Sequence, residues 1–432
     1  MTNFLEISYT DVLLPLALIL LLGKLFSIVC KRFNLPQVLG LLVSGLLIGL
    51  IKLIPNQTLL TPGATEGISF ISKIGVVLIM FEAGLETDLN KIRKTGLSSI
   101  VVTILGVVLP LFLGFLVATL FNGGFGALSD KQTLFANLFY GTILTATSVS
   151  VTVATLKEMG KLNSDVGTVI SAAAIIDDII GVVILSFIIS LSGNGNSADV
   201  SYGAKWISNI FGVDASAAWI TIVLILLCFI FIFAAGLLIK KIFIFLDKNF
   251  EHHRRIPIFG IATAFLYAWV CEKVFGVADI TGAFFCGLIL SRYKEKQYVE
   301  RRSDILGYML FTPVFFANVG ISLSFDGFST EFIGFGLCFI IAGILGKLIG
   351  CGVGAKITGF NFSDSAKIGI GMMVRAEVAL ITVGKGVDAG IISPNITTFV
   401  VILILLTSVL TPILIKVLYK KDAKNINILS QE

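Results

Sequence analysis

Long apolar runs recur along this chain, each cut off by a short polar or basic segment. A helix rises 1.5 Å per residue, so about 20 apolar residues cover the roughly 30 Å hydrocarbon layer of a bilayer. On that measure the pattern predicts thirteen spans, at about 9–30, 36–54, 67–86, 97–121, 133–156, 164–191, 217–247, 256–275, 278–292, 304–324, 331–355, 366–388 and 395–419. The expected fold class is an all-α polytopic membrane protein. The span at 217–247 is unusually long and has six others on each side. An odd crossing between equal halves places them in opposite orientations, as in inverted-repeat transporters.

The basic residues orient this pattern. With the N-terminus outside, one alternate set of loops and adjoining span ends holds 23 Lys and Arg residues, and the opposite set holds five. That asymmetry predicts a multi-pass protein of the cell membrane with its N-terminus out and its C-terminus in the cytoplasm. It also accounts for the net charge of +5 without nucleic acid. At 56% hydrophobic and 14% charged residues, the composition excludes a soluble globule. Met1 to Thr10 carries no basic residue, so no cleaved leader is expected. Six isolated cysteines read as packing residues, and His252 and His253 as part of a solvated basic loop.

Against this background Asp177 and Asp178 stand out, adjacent in the middle of the sixth span. One central Asp costs roughly 2.5–3.5 kcal/mol on insertion scales, and intramembrane ionisable groups mark ion paths, proton relays or counter-ions. Neighbours on a helix point about 100° apart, so the two carboxylates can take different roles. Lys347, in the middle of the eleventh span, needs a partner, and a carboxylate of the sixth span would lower the cost of both charges. Arg375 and Glu377 diverge by about 200° on a regular helix, so either the helix is broken there or each pairs elsewhere. Glu82, at the inner end of the third span, is an additional candidate carboxylate, although a charge at a helix terminus has the same appearance.

The two halves carry matching irregularities. The fifth span contains Thr145-Ala146-Thr147-Ser148-Val149-Ser150-Val151-Thr152, and the twelfth has Gly369 and Gly371 before Arg375-Ala376-Glu377. Paired interruptions of this kind point to a transporter site. The same hydroxyls and glycines also serve close helix packing, and the pattern leaves both readings open. Carboxylates, hydroxyls and freed carbonyls together would bind a hard monovalent cation in competition with protons, which is sufficient for antiport if the site alternates its exposure.

These segments, with Leu35-Pro36-Gln37-Val38-Leu39-Gly40, Gly45 to Gly49, Phe81 to Glu86, Ala174 to Asp178 and Phe315 to Gly320, resemble the monovalent cation:proton antiporter-2 family. That family includes Kef-type potassium and NapA-type sodium antiporters. The resemblance implies an NhaA-like fold with two crossing broken helices, working as a homodimer in the bilayer. It implies dimerisation segments at 1–95 and 256–324, core transport segments at 97–191 and 331–419, a linker helix at 217–247 and a cytoplasmic tail at 420–432. It assigns the cation and proton to Asp178, with Asp177 meeting Lys347. Thr147 and Ser148 supply oxygens, and Arg375 and Glu377 support the second break. Two departures are Ala376, where glycine is common, and a chain that stops soon after its last span, so Kef-type nucleotide regulation is not expected.

The expected activity is Na+/H+ exchange at Asp178 and Asp177. K+/H+ or broad monovalent exchange is the alternative, and a cation-coupled organic anion symporter or a channel stands further off. No cofactor is implied, only transported Na+ or K+ and H+. The sequence shows no nucleophile–base set or phosphate loop that would suggest an enzyme.

Overall fold

The computed structural model describes residues 9–32, 37–87, 95–148, 150–192, 201–211, 218–249, 255–293, 296–323 and 330–429. His252 and His253 lie outside these residues, as do Leu35, Pro36 and Val149. All regular structure among the described residues is helical. The chain divides into two compact units, one of Met1–Thr87 with Gly195–Leu323, the other of Asp88–Asn194 with Ser324–Glu432.

The first unit contains α1 (Tyr9–Arg32), α2 (Gln37–Gly49), α3 (Pro62–Glu86) and, after a long excursion of the chain, α8 (Tyr202–Phe211) and α9 (Ala218–Asn249). It continues with α10 (Arg255–Trp269), α11 (Asp279–Leu290), α12 (Lys296–Leu306) and α13 (Thr312–Ile321). α10 runs on as a π turn, Val270–Val274, and a second π turn, Gly307–Phe311, joins α12 to α13. The start of α3 follows from its sequence: the Thr61 hydroxyl accepts the Ala64 amide at 3.1 Å, and Pro62 opens the helix where no amide donor is needed. Val12, Ile19, Ile48, Ile68, Val314 and Ala317 form one apolar core of this unit. α3 and α11 touch backbone to backbone: a Cβ on Gly84 would fall 2.1 Å from the Phe284 carbonyl, and one on Gly287 would fall 2.1 Å from that of Phe81.

The second unit contains α4 (Leu97–Phe121), α5 (Lys131–Ile143), α6 (Ser150–Glu158), α7 (Asp165–Ser192), α14 (Thr330–Ile357), α15 (Phe362–Gly371), α16 (Glu377–Asp388) and α17 (Ile396–Leu429). Asp130 caps α5 by accepting the Thr133 amide at 2.8 Å and its hydroxyl at 2.7 Å, bonds that hold this carboxyl below its ordinary range. α14 lies flat on α4 through Gly346, Gly350 and Gly354, spaced four residues apart on one face. A Cβ at these positions would fall 2.7 Å from Pro110, 2.4 Å from the Leu105 carbonyl and 2.8 Å from Val102. The Thr103 hydroxyl ties α4 to the Ala173 carbonyl of α7 at 2.9 Å.

Among the described residues nine helices are long and apolar enough to cross a membrane. This is fewer than the thirteen expected spans, and the difference is local. Two expected spans coincide with shorter apolar helices, Gly40–Leu53 and Asp279–Leu290, and two with the pairs of half-helices α5/α6 and α15/α16. Two further differences concern the connections. The connection between the expected spans 164–191 and 217–247 contains the helix α8, and the last helix continues past Tyr419 to Leu429.

Candidate ion-exchange site

The site begins with two helices that stop in mid-span. α5 ends at Ile143, and residues 144–148 are irregular before α6 opens at Ser150. The local sequence favours this stop. The Thr145 hydroxyl donates to the Thr142 carbonyl at 2.8 Å, and Thr147 to that of Thr145 at 3.3 Å, so side chains serve backbone acceptors that a continuing helix would have used. α15 ends at Gly371, and residues 372–376 are irregular before α16. Of the two readings left open by the sequence, the broken one is realised at both places.

The breaks meet. The Ser148 amide donates to the Val374 carbonyl at 3.0 Å, and the Thr152 hydroxyl to the Gly371 carbonyl at 2.7 Å. Arg375 is fully buried and completes the join. Its Nη2 donates to the Leu144 carbonyl at 2.7 Å and to that of Gly343 at 3.2 Å. Its Nη1 reaches the Met373 and Met372 carbonyls at 3.4 and 3.5 Å. The C-terminal ends of α5 and α15 each carry unsatisfied carbonyls and roughly half a negative charge. One guanidinium therefore neutralises two half-helix ends and gives their carbonyls donors. The Arg375 amide in turn donates to the Thr407 hydroxyl of α17 at 3.2 Å, and that hydroxyl donates to the Leu403 carbonyl at 2.9 Å.

Two turns along α7 from this crossing stand the carboxylates. Ile170 packs where Gly371 has no side chain: a Cβ there would fall 2.5 Å from its Cδ1. Asp177, seven residues on, projects from nearly the same face. Lys347 Nζ lies 2.5 Å from Asp177 Oδ1, and both side chains are buried. The proposed pairing of the sixth and eleventh spans is therefore realised as a direct ion pair. Asp178 is half-buried, consistent with its different direction on the helix.

The other expected residues are placed as follows. Thr147 and Ser148 are buried within the first break. Glu377 opens α16, where the helix dipole suits an acid; its side chain lies outside the described residues. Glu82 belongs to the first unit, on α3, with Asp304 and Glu86 as charged neighbours. Among the described residues its buried Oε1 has no hydrogen-bond partner, and it faces Gly307, where a Cβ would come within 2.6 Å.

Sequence reasoning assigned no role to Thr152, Thr407 or Lys367. The buried Lys367 pairs with Asp364 at 2.7 Å and with Asp422 of α17, and lies over the Tyr419 ring at 4.5 Å. The hydroxyl cluster of Thr407, Ser408 and Thr411 in the middle of a mostly apolar span was the available signal for Thr407.

The sodium/hydrogen exchanger transmembrane family profile matches residues 17–421, nearly the whole chain. The chain belongs to the sodium/hydrogen exchanger family. Among its relatives this exchanger is 34% identical to the Na+/H+-K+ antiporter GerN of Bacillus cereus, covering 93% of this chain and 94% of GerN. It is 31% identical to a Na+/H+ antiporter of Enterococcus hirae, over 95% and 98% of the two chains. Its fold is also that of the sodium proton antiporter MjNhaP1 of Methanocaldococcus jannaschii, with a TM-score of 0.64 at 19% identity over 93% of this chain and 95% of the other. Like them, the exchanger is a multi-pass membrane protein.

Proposed function

We propose that this exchanger moves Na+ against H+ by alternating access, with Asp178 as the ion-binding carboxylate and Asp177 as its gated neighbour. The observation that carries the reading is the buried Asp177–Lys347 pair, one residue from Asp178, in the unit where two half-helix breaks are bonded together. Burying an ion pair costs desolvation of both charges, and removing one partner from such a pair costs about 3–5 kcal/mol. A cation arriving at Asp178 and Asp177 supplies the charge that Lys347 supplied, so ion and lysine compete for the same carboxylate. The lysine is then free to shed a proton, and Asp178 gives up its own. Two protons per Na+ move one net charge, which couples exchange to the membrane potential at about 2.3 kcal/mol per 100 mV.

The oxygens of Thr147 and Ser148 complete a hard-cation site with the carboxylates. The remaining assignments are a homodimer, which rests on the family resemblance, and a place in the cell membrane with the N-terminus outside, which the bias of basic residues toward one set of loops supports. K+ as an alternative cargo is favoured by one observation: the relative GerN is a Na+/H+-K+ antiporter.

The test is a cation panel on purified protein in proteoliposomes, with a pH gradient read by fluorescence dequenching on addition of Na+, Li+ or K+. Dequenching by Na+ supports the proposal. Dequenching by K+ alone moves the assignment to K+/H+ exchange, and no response to any of the three between about pH 6.5 and 9 removes antiport at this site altogether.

A further inference from the structure

The chain has three tryptophans, Trp206, Trp219 and Trp269. All three surface in one region of the first unit, 67%, 45% and 52% exposed: on α8, at the start of α9 and at the end of α10. α8 is ten residues long, about 15 Å, half of what a crossing requires. One face is fixed. Ala204 and Ile207 are buried against Ile220 and Leu224 of α9 with Phe275 alongside, and a Cβ on Gly203 would fall 2.6 Å from the Val274 carbonyl. α8 therefore lies across the ends of two spans, with the Tyr202 ring 6.5 Å from that of Trp269.

The opposite face of α8 presents Tyr202, Lys205, Trp206, Asn209 and Ile210, all exposed. Tyr and Trp prefer the membrane–water boundary, where a ring buries its apolar body and keeps its polar edge wet. A short helix with aromatic and aliphatic residues beside a lysine on its free face matches interfacial helices. The face also continues an apolar surface: from Trp219, the exposed row Ile222, Val223, Leu226, Leu227 and Ile230 runs down α9, as lipid-facing side chains of a span do.

We propose that α8 lies in the headgroup–hydrocarbon boundary of the bilayer. Tyr202, Trp206 and Ile210 are inserted into the leaflet and Lys205 is set against lipid phosphate, anchoring this end of the unit at fixed depth. The neighbouring Glu272 and Lys273 at the end of α10 carry opposite charges, so the patch takes phospholipid phosphates in general and does not require an anionic lipid.

The experiment uses the full chain in phosphatidylcholine nanodiscs with doxyl-labelled lipid, comparing wild type with Trp206→Phe so that the difference in emission isolates Trp206. Quenching of that difference signal by roughly twofold with a doxyl group near the headgroup, weaker quenching from the chain end and little from aqueous iodide support the proposal. Iodide quenching without lipid quenching places the helix in water and overturns it. Protection from both quenchers means that protein, such as a second copy of this chain, covers the face, and overturns it equally. Should Trp206→Phe fail to fold, a Trp219→Phe/Trp269→Phe variant reads Trp206 directly against the same three outcomes.

Discussion

The guanidinium of Arg375 donates to the carbonyl of Leu144, 2.7 Å away and 231 positions earlier in the chain. The same side chain also serves carbonyls at the end of the half-helix that precedes it. The two breaks are thus held by one buried cation, so its loss leaves several carbonyls unserved at once. A buried acceptor without a donor costs about 1–3 kcal/mol. Arg375→Ala is expected to lower stability by about 3 kcal/mol or more and to abolish exchange, read by thermal unfolding in detergent and by proteoliposome flux. Arg375→Lys keeps the charge but lacks the planar fork that reaches both ends, and is expected to fall between the two.

The Asp177–Lys347 pair predicts a recovery. Lys347→Gln leaves a buried carboxylate without its cation and should cost about 3–5 kcal/mol. The double variant Asp177→Asn/Lys347→Gln removes both charges and should regain most of that loss, giving a large coupling energy in a double-mutant cycle of unfolding. The pair is refuted as a coupled unit if the two effects simply add.

Asp178→Asn separates function from fold. Asp178 is half-buried, so neutralising it should leave the unfolding temperature near wild type while exchange falls to background. Asp177→Asn should instead leave slower exchange that no longer responds to an imposed membrane potential. Both are measured in the same liposomes, with potassium–valinomycin potentials set for Na+ flux.

The contact of α15 with α17 supplies a fourth prediction. Lys367 pairs with Asp422, which also accepts the Ser363 hydroxyl through both oxygens, at 2.8 and 2.9 Å. Asp422→Ala, or truncation after Tyr419, should destabilise the protein by about 1–3 kcal/mol, because a buried ammonium loses one of its two carboxylate partners and keeps only Asp364. An unchanged unfolding temperature on truncation would show that these last turns are dispensable.

Most of the spans and the long helix before the second half were legible in the sequence, because each rests on side-chain type and period; the pattern left the two breaks open, and they and the choice of Asp177 for Lys347 were implied by the family resemblance. What was not legible rests on backbone acceptors. The partners of Arg375 are the carbonyls of Leu144, Gly343, Met372 and Met373, and any residue carries a carbonyl, so no pattern singles them out. The same holds for Thr152 against Gly371 and for Thr103 against Ala173. α8 was missed for a different reason: its ten residues are too few for a span and sit in a stretch rich in Gly, Ser and Asn, which reads as a loop until α9 provides a surface for Ala204 and Ile207.

The glycine face of α14 has a kinematic consequence. With Gly346 against Pro110 and Gly350 against the Leu105 carbonyl, each crest of one backbone sits in a notch of the other, and neither helix can slide a fraction of a turn without collision. Lys347, adjacent to Gly346, therefore rides on an immobile rail. On the gating proposed above, what parts it from Asp177 is then rotation about the bonds of its own four-carbon arm or displacement of α7, and the helix that carries the lysine stays still.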